Sequence, residues 1–153
     1  MSDWGVTHTV AAQVALADGL LLEGDLHLMA RTAYPPGPET PLEMLNRGDP
    51  FFALTLRGGG VAFVSKEQVA MVSCGDQTPL ADPDRISAAR RLDLEVVMTG
   101  GAELRGRATV ELPPSRARAL DFVNGPGRFF PLRTDEVTRY LNKTFARLIR
   151  PLD

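Results

Sequence analysis

The feature that most constrains this chain is an internal repeat, because short blocks of similar sequence occur twice in the same order. Four blocks recur, at offsets that fall from 82 to 77 residues: 14–28 with 96–110, 42–46 with 120–124, 51–54 with 129–132, and 63–66 with 140–143. The change in offset places four extra residues in the first copy, most simply in the proline-rich loop 34–38. Self-similarity at a fixed spacing indicates a duplicated structural unit. The 153 residues are therefore predicted to hold two copies of one small fold.

The repeat divides the chain into two units and a connecting segment. Residues 6–74 form the first predicted unit, and residues 91–153 form the second. Residues 75–90 are predicted as a linker, because this segment contains Pro79 and Pro83 and lies between the repeated blocks. A chain of this length can bury a hydrophobic core.

Each copy begins with the pattern of a β-hairpin. In the first copy, apolar residues alternate with other residues along 10–16, and Asp18-Gly19 follows as a two-residue turn signal. In the second copy, Gly100-Gly101 stands at the turn. Gly24 and Gly106 fall in the middle of the next strand on its apolar face, where glycine usually permits sharp bending or close packing. The hairpins predict a mainly β fold.

A short helical turn and further strands follow each hairpin. The predicted helical turns are 41–46 and 115–124, and the predicted strands are 51–57, 61–65, 69–73, 128–133, 138–142 and 146–150. Gly58-Gly-Gly60 is predicted to be a hairpin turn, since it lacks the lysine and the helix of a phosphate loop. The four phenylalanines at repeated apolar positions are expected in the core: Phe51, Phe52, Phe129 and Phe130.

This order of elements resembles the five-stranded Sm-like barrel of the Hfq and LSm proteins. The first Sm motif is similar to Leu16, Gly19, Gly24 and 43–46 in the first copy. In the second copy it is similar to Met98, Gly101, Gly106 and 121–124. The second motif is similar to the hydrophobic-x-Lys-x-x-hydrophobic pattern of Hfq, here 64–69 and 141–146. The same pattern also resembles small uncharacterised bacterial domains. The resemblance implies two tandem Sm-like or SH3-like small barrels related by a pseudo-twofold axis.

The chain departs from the Hfq pattern in three places. Glu67 and Thr144 replace the histidine that follows the lysine in uridine recognition. The helix that lines the RNA face of Hfq has no counterpart, and the loop before Asn46 and Asn124 is longer than in Sm proteins. These departures bear on RNA binding rather than on the strand order.

The net charge of −2 conceals opposite charges on the two halves. Residues 1–84 carry four basic and eleven acidic side chains, a net charge of −7, whereas residues 85–153 carry thirteen basic and eight acidic side chains, a net charge of +5. Unlike charges steer association and like charges oppose it, which favours head-to-tail contact between chains. Such contacts close into rings or continue as filaments. We therefore expect a non-catalytic protein-interaction or assembly module that binds itself or another protein, and three chains in a ring would match a six-unit Sm ring.

The alternative is an Sm-like RNA-binding protein that uses the basic second copy. Its candidate ligand residues are Asn46, Lys66, Arg105, Arg107, Arg116, Arg118, Asn124 and Lys143. The asparagines also suit helix capping, and the lysines also suit a solvated hairpin, which is the favoured interpretation of the two lysines. Nucleic-acid binding normally requires a strongly basic domain with stacking aromatics, whereas the whole chain is acidic.

No catalytic, cofactor-binding or metal-binding residue is predicted. His8 and His27 are the only histidines, and neither belongs to a cluster with metal-ligand spacing. Cys74 is the only cysteine, which excludes an internal disulfide and favours a buried, inert thiol. The N-terminus lacks a signal-peptide pattern, and no apolar run reaches the roughly 18 residues of a membrane span. A cytoplasmic bacterial protein with no membrane contact is expected.

Overall fold

A computed structural model describes residues 8–31, 36–75, 90–110 and 119–152. Ten strands and two short helices lie within these ranges, which confirms the predicted mainly β class. The elements are β1 (His8–Leu16), β2 (Leu21–Leu28), α1 (Pro41–Asn46), β3 (Phe51–Leu56), β4 (Val61–Ser65), β5 (Val69–Gly75), β6 (Arg90–Met98), β7 (Glu103–Val110), α2 (Ala119–Val123), β8 (Phe129–Thr134), β9 (Val137–Asn142) and β10 (Ala146–Pro151). A 3₁₀ turn precedes β5 at Lys66–Gln68, and another precedes β10 at Lys143–Phe145.

All ten strands join in one open antiparallel sheet of order β10-β6-β7-β8-β9-β5-β1-β2-β3-β4. The first half contributes β5-β1-β2-β3-β4, and the second half contributes β10-β6-β7-β8-β9, which is the same order. The register repeats as well, because Ala12 lies opposite Gly24 and Leu94 lies opposite Gly106. Each half also has a bulge between its first and last strands. The repeat in sequence is thus a repeat in strand order and register.

Local chemistry explains where α1 begins. Thr40 is the N-cap residue, and its hydroxyl accepts a hydrogen bond from the Glu43 backbone N–H at 3.1 Å. Pro41 occupies the first helical position, where its missing N–H would have no helical partner. The Glu43 carboxylate also accepts three hydrogen bonds from Arg31, which tie the helix to the segment after β2. The described part of the second helix begins at Ala119, and the predicted residues 115–118 lie outside the described ranges.

The two mid-strand glycines are required by close packing of neighbouring backbones. A β-carbon on Gly24 would collide with the carbonyl oxygen of Thr55 on β3. A β-carbon on Gly106 would meet the carbonyl oxygen of Arg133 on β8, which is the equivalent position in the second half. Of the two roles predicted for these glycines, the structure therefore shows close approach of the adjacent strand.

The apolar side chains form two clusters that are shared across the halves. The first cluster contains buried residues of β1 to β5, but Phe129 and Tyr140 of the second half also belong to it. The second cluster is built on β6 to β9, and Ala70 and Met71 of β5 pack against it. The two halves therefore complete each other's cores. None of the helices in the described ranges is both long enough and apolar enough to cross a lipid bilayer.

Candidate functional site

The halves join through a seam in which β5 pairs with β9. The pairing runs from Met71 opposite Leu141 to Gly75 opposite Val137. Arg139 on β9 donates a hydrogen bond to the Ser73 hydroxyl directly across the ladder, at 3.0 Å. The last strand of the first half thus pairs side by side with the fourth strand of the second half. One inter-repeat interface is therefore visible inside a single chain.

Asn142 provides a buried polar connection across the seam. Its side-chain amide donates hydrogen bonds to the backbone carbonyls of Lys66 at 3.3 Å and Val69 at 2.9 Å. Its amide oxygen accepts from the Thr144 backbone N–H at 3.0 Å. Because Asn142 has no exposed surface, these bonds satisfy groups that would otherwise be buried without partners.

Asn46 makes a second connection between the halves, at the end of α1. Its side-chain nitrogen donates to the Phe129 carbonyl at 3.1 Å, and its side-chain oxygen accepts from the Phe129 N–H at 2.8 Å. Asn46 was predicted either to cap its own helix or to contact a nucleobase. Instead, its amide pairs with the backbone at the start of β8. The repeat position Asn124 has an exposed side chain after α2.

Two aromatic positions have opposite environments in the two halves. Phe129 and Tyr140 are only 2% and 5% exposed, because residues of the first half cover them. Their repeat counterparts in the first half, Phe51 and Phe63, are 55% and 70% exposed. The expectation of a core position is therefore wrong for Phe51, although Phe52, Phe129 and Phe130 are buried. Phe51 is exposed because no described element covers the β3–β4 side of the sheet as α1 and β5 cover β8 and β9.

At the β10 end of the sheet, residues of the second half are more exposed than their first-half counterparts. Met44 and Leu45 of α1 are each 1% exposed beside the seam, whereas their counterparts on α2, Phe122 and Val123, are only partly buried. β10 is the edge strand at this end of the described sheet. It exposes Leu148, whose repeat counterpart Met71 lies within the seam. The two edge strands of the described sheet, β4 and β10, thus expose apolar residues whose repeat counterparts are covered at the seam.

The two lysines predicted as solvated or ligand-binding residues stabilise helix ends. Lys66 is 2% exposed, and its ammonium donates to the carbonyls of Met44 at 2.7 Å and Arg47 at 2.9 Å. Lys143, at the same repeat position, donates to the Gly125 carbonyl at 2.8 Å. Burial lowers the pKa of both ammonium groups. The favoured expectation of a solvated lysine is wrong for Lys66, since the carbonyls after α1 need a donor.

The other predicted ligand residues do not converge on one place. Asn46 and Lys66 line a cleft of about 220 Å³ beside the seam, together with Arg128 of the second half. Arg105 and Arg107 line a different cleft on the outer face of β7. Arg116 and Arg118 lie outside the described residues. The eight predicted residues therefore form no single RNA-binding surface in the described part of the chain.

The described histidine and cysteine side chains lie in separate environments. His27 Nε2 lies 2.6 Å from the Thr55 hydroxyl oxygen, in a hydrogen bond between β2 and β3. Cys74 is a free, buried cysteine, and burial raises the pKa of its thiol to about 12. Across the described ranges, no group of three His, Cys, Asp or Glu side chains is placed to hold a metal ion.

Sequence reasoning missed the residues that matter most at the seam and at the β4 edge of the sheet. Asn142, Tyr140 and Phe63 were seen only as aligned members of a repeated block, not as contacts between halves. Their correspondence was readable from the 77-residue offset, but their neighbours were not. Comparisons of this chain with protein-family models, curated proteins and solved structures found no match, so the function has to be inferred from the seam and the two free edges.

Proposed function

We propose that this protein is a non-catalytic assembly module whose chains join head to tail, with β4 of one chain paired to β10 of the next. The single observation that carries this proposal is the seam. There, β9 pairs with β5, and by the repeat β4 corresponds to β9 and β10 corresponds to β5. The chain already contains one such interface and exposes both surfaces needed for another. Free sheet edges are common sites of strand addition.

The repeat gives the expected register of the contact between chains. Met71 lies opposite Leu141 within the chain, so Leu148 of one chain is expected opposite Val64 of the next. Ser73 lies opposite Arg139, so Arg150 is expected opposite Ala62. Pro151 has no N–H to donate, and the ladder is expected to end there.

Side chains at the two edges suit the same contact. Phe51 and Phe63 would be covered by α2 and β10, as Phe129 and Tyr140 are covered by α1 and β5. Burying each aromatic side chain contributes about 2 kcal/mol. The amide of Asn124 would pair with the Phe51 backbone, as Asn46 pairs with that of Phe129.

The two edges differ, which favours head-to-tail order over a symmetric dimer. β10 carries Arg147 and also Arg150, which forms an ion pair with Glu95 at 3.2 Å, so two β10 edges would bring arginines together. A contact between unlike edges repeats until a ring closes or a filament grows. With each half taken as an Sm-like barrel unit, three chains would form a six-unit ring. Sm-like RNA binding is less well supported, because Asn46, Lys66 and Lys143 use their polar groups on the chain's own backbone.

Size-exclusion chromatography with light scattering tests the proposal on the unmodified protein. The expected mass is a multiple of the 16.6 kDa chain mass at micromolar concentration. Because the contact is mainly apolar and backbone-mediated, the mass is expected to persist at high salt, where surface charge attraction is screened. A particle of single-chain mass at both low and high salt would contradict head-to-tail assembly.

A further inference from the structure

We propose that the outer face of the second half binds a phosphate group in the cleft formed by β6, β7 and β8. The cleft has a volume of about 640 Å³, and its lining includes Arg105, Arg107 and Arg133. None of these arginines takes part in the seam or in the head-to-tail contact. The proposal therefore does not require assembly.

The sheet places the three arginines on neighbouring positions of one face, where all of them line the cleft. Arg105 and Arg107 are two residues apart on β7, so both side chains lie on one face with α-carbons about 7 Å apart. Arg133 lies directly opposite Arg107 on β8. Adjacent strands are about 4.8 Å apart. Because all three side chains line one cleft, an oxyanion bound in it would lie close to each of them.

Arg107 and Arg133 place two like charges directly opposite each other, an arrangement that adds nothing favourable to the sheet by itself. This pair is also the whole described ladder between β7 and β8. At the equivalent place in the first half, Asp25 lies opposite Thr55, and the ladder extends from Gly24 to Leu26. The arginine pair thus coincides with a shorter ladder and an open cleft.

Two carboxylates orient the arginines and leave donors for a ligand. Glu95 accepts from Arg105 Nε at 2.8 Å, and Asp93 forms an ion pair with Arg107 Nε at 3.5 Å. Among the described residues, Arg105 and Arg107 have no other polar partner, so their terminal nitrogens remain available. Their side chains are 74% and 55% exposed. A guanidinium fork with free terminal N–H groups suits a phosphate oxygen pair.

The repeat shows that the fold does not require these arginines. The first-half counterparts of Arg105, Arg107 and Arg133 are Glu23, Asp25 and Thr55, on the same strands in the same register. By contrast, the two halves have the same residue at positions that the strand packing requires, such as Gly24 and Gly106. Asp93 and Asp135 also line the cleft, so its excess positive charge is small. Binding is therefore expected to be reversible and sensitive to salt.

Inorganic phosphate titrated into the full chain tests the site, with NMR detection of the arginine Nε–H signals. We expect saturable shifts for Arg105 and Arg107 that chloride at equal ionic strength does not produce. Arg107→Gln is expected to weaken binding at least about tenfold, because a charge-assisted contact is lost. Arg57→Gln, which removes the same charge from an exposed turn of the first half, is the matched control. Equal phosphate and chloride responses, or equal binding by the two variants, would overturn the proposal.

A uridine oligonucleotide in a parallel titration distinguishes the source of the phosphate. Tighter binding than inorganic phosphate, lost in Arg107→Gln, assigns the site to a polynucleotide backbone. Equal or weaker binding, with inorganic phosphate still lost in Arg107→Gln, assigns it to small phosphate compounds. Both results support the cleft as a phosphate site. The mass of the particle is measured in a separate experiment, so that failure of phosphate binding and failure of assembly can be distinguished.

Discussion

Phe63→Asp is expected to convert the assembled protein into monomers of 16.6 kDa. The side chain is 70% exposed within one chain, so the substitution leaves the chain's own core intact. In the assembly the same position takes the place of Tyr140, which is 5% exposed. A carboxylate placed there would lose its hydration among apolar side chains, and burying a charge costs several kcal/mol. Light scattering measures the loss of assembly, and circular dichroism verifies that the fold is kept.

Two control variants make this result specific. Leu20→Asp introduces the same charge at another exposed apolar position, 52% exposed and outside both free edges, and is expected to assemble normally. Phe63→Tyr introduces the residue found at position 140 and is also expected to assemble. An assembly of unchanged mass in Phe63→Asp would show that the chains meet through another surface.

Gly24→Ala is expected to have the largest effect on folding of the single chain. The added β-carbon would collide with the Thr55 carbonyl, which is backbone and cannot rotate away. β2 and β3 would have to separate, and the buried side chains of Leu26 and Leu54 would lose their packing. Overpacking against a rigid backbone is expected to cost at least about 3 kcal/mol of unfolding free energy. Urea unfolding measures this loss.

Gly58→Ala is the matched control for Gly24→Ala. A β-carbon at Gly58 meets no atom within 4 Å, and the residue lies in the turn between β3 and β4. Its unfolding free energy is expected to change by no more than about 0.5 kcal/mol. If Gly24→Ala were as stable as Gly58→Ala, close approach of β3 would not be the reason for glycine at this position.

The repeat and the strands were readable from the sequence because they depend on local patterns. Alternation along β1 and the turn glycine Gly19 predict a hairpin from adjacent residues alone. The matching blocks predict that the two halves form the same strands in the same order. Element ends moved by one or two residues, as at β5, which continues to Gly75 instead of ending at Ser73.

The burial of particular side chains was not readable, because it depends on which element lies next to them. Phe51 and Phe129 have the same local pattern, yet α1 covers only Phe129. The sequence around Lys66 is typical of a surface lysine. The carbonyls that its ammonium group binds lie at the end of α1, about twenty residues earlier in the chain. The seam between β5 and β9 joins residues nearly seventy positions apart, and no local pattern encodes it.

Disulfide trapping tests the edge-to-edge contact most directly. One protein carries Ala62→Cys on β4, another carries Arg150→Cys on β10, and oxidation of the mixture is followed by non-reducing electrophoresis. Directly opposed residues in antiparallel strands have α-carbons about 4.5–5.5 Å apart, within the range of a disulfide. Cys74 is buried with a raised thiol pKa and is expected to stay unreacted. Pairing of β4 with β10 between chains predicts covalent dimers in the mixture and none in either protein alone. No dimers in the mixture, or dimers from a single variant, would contradict this pairing.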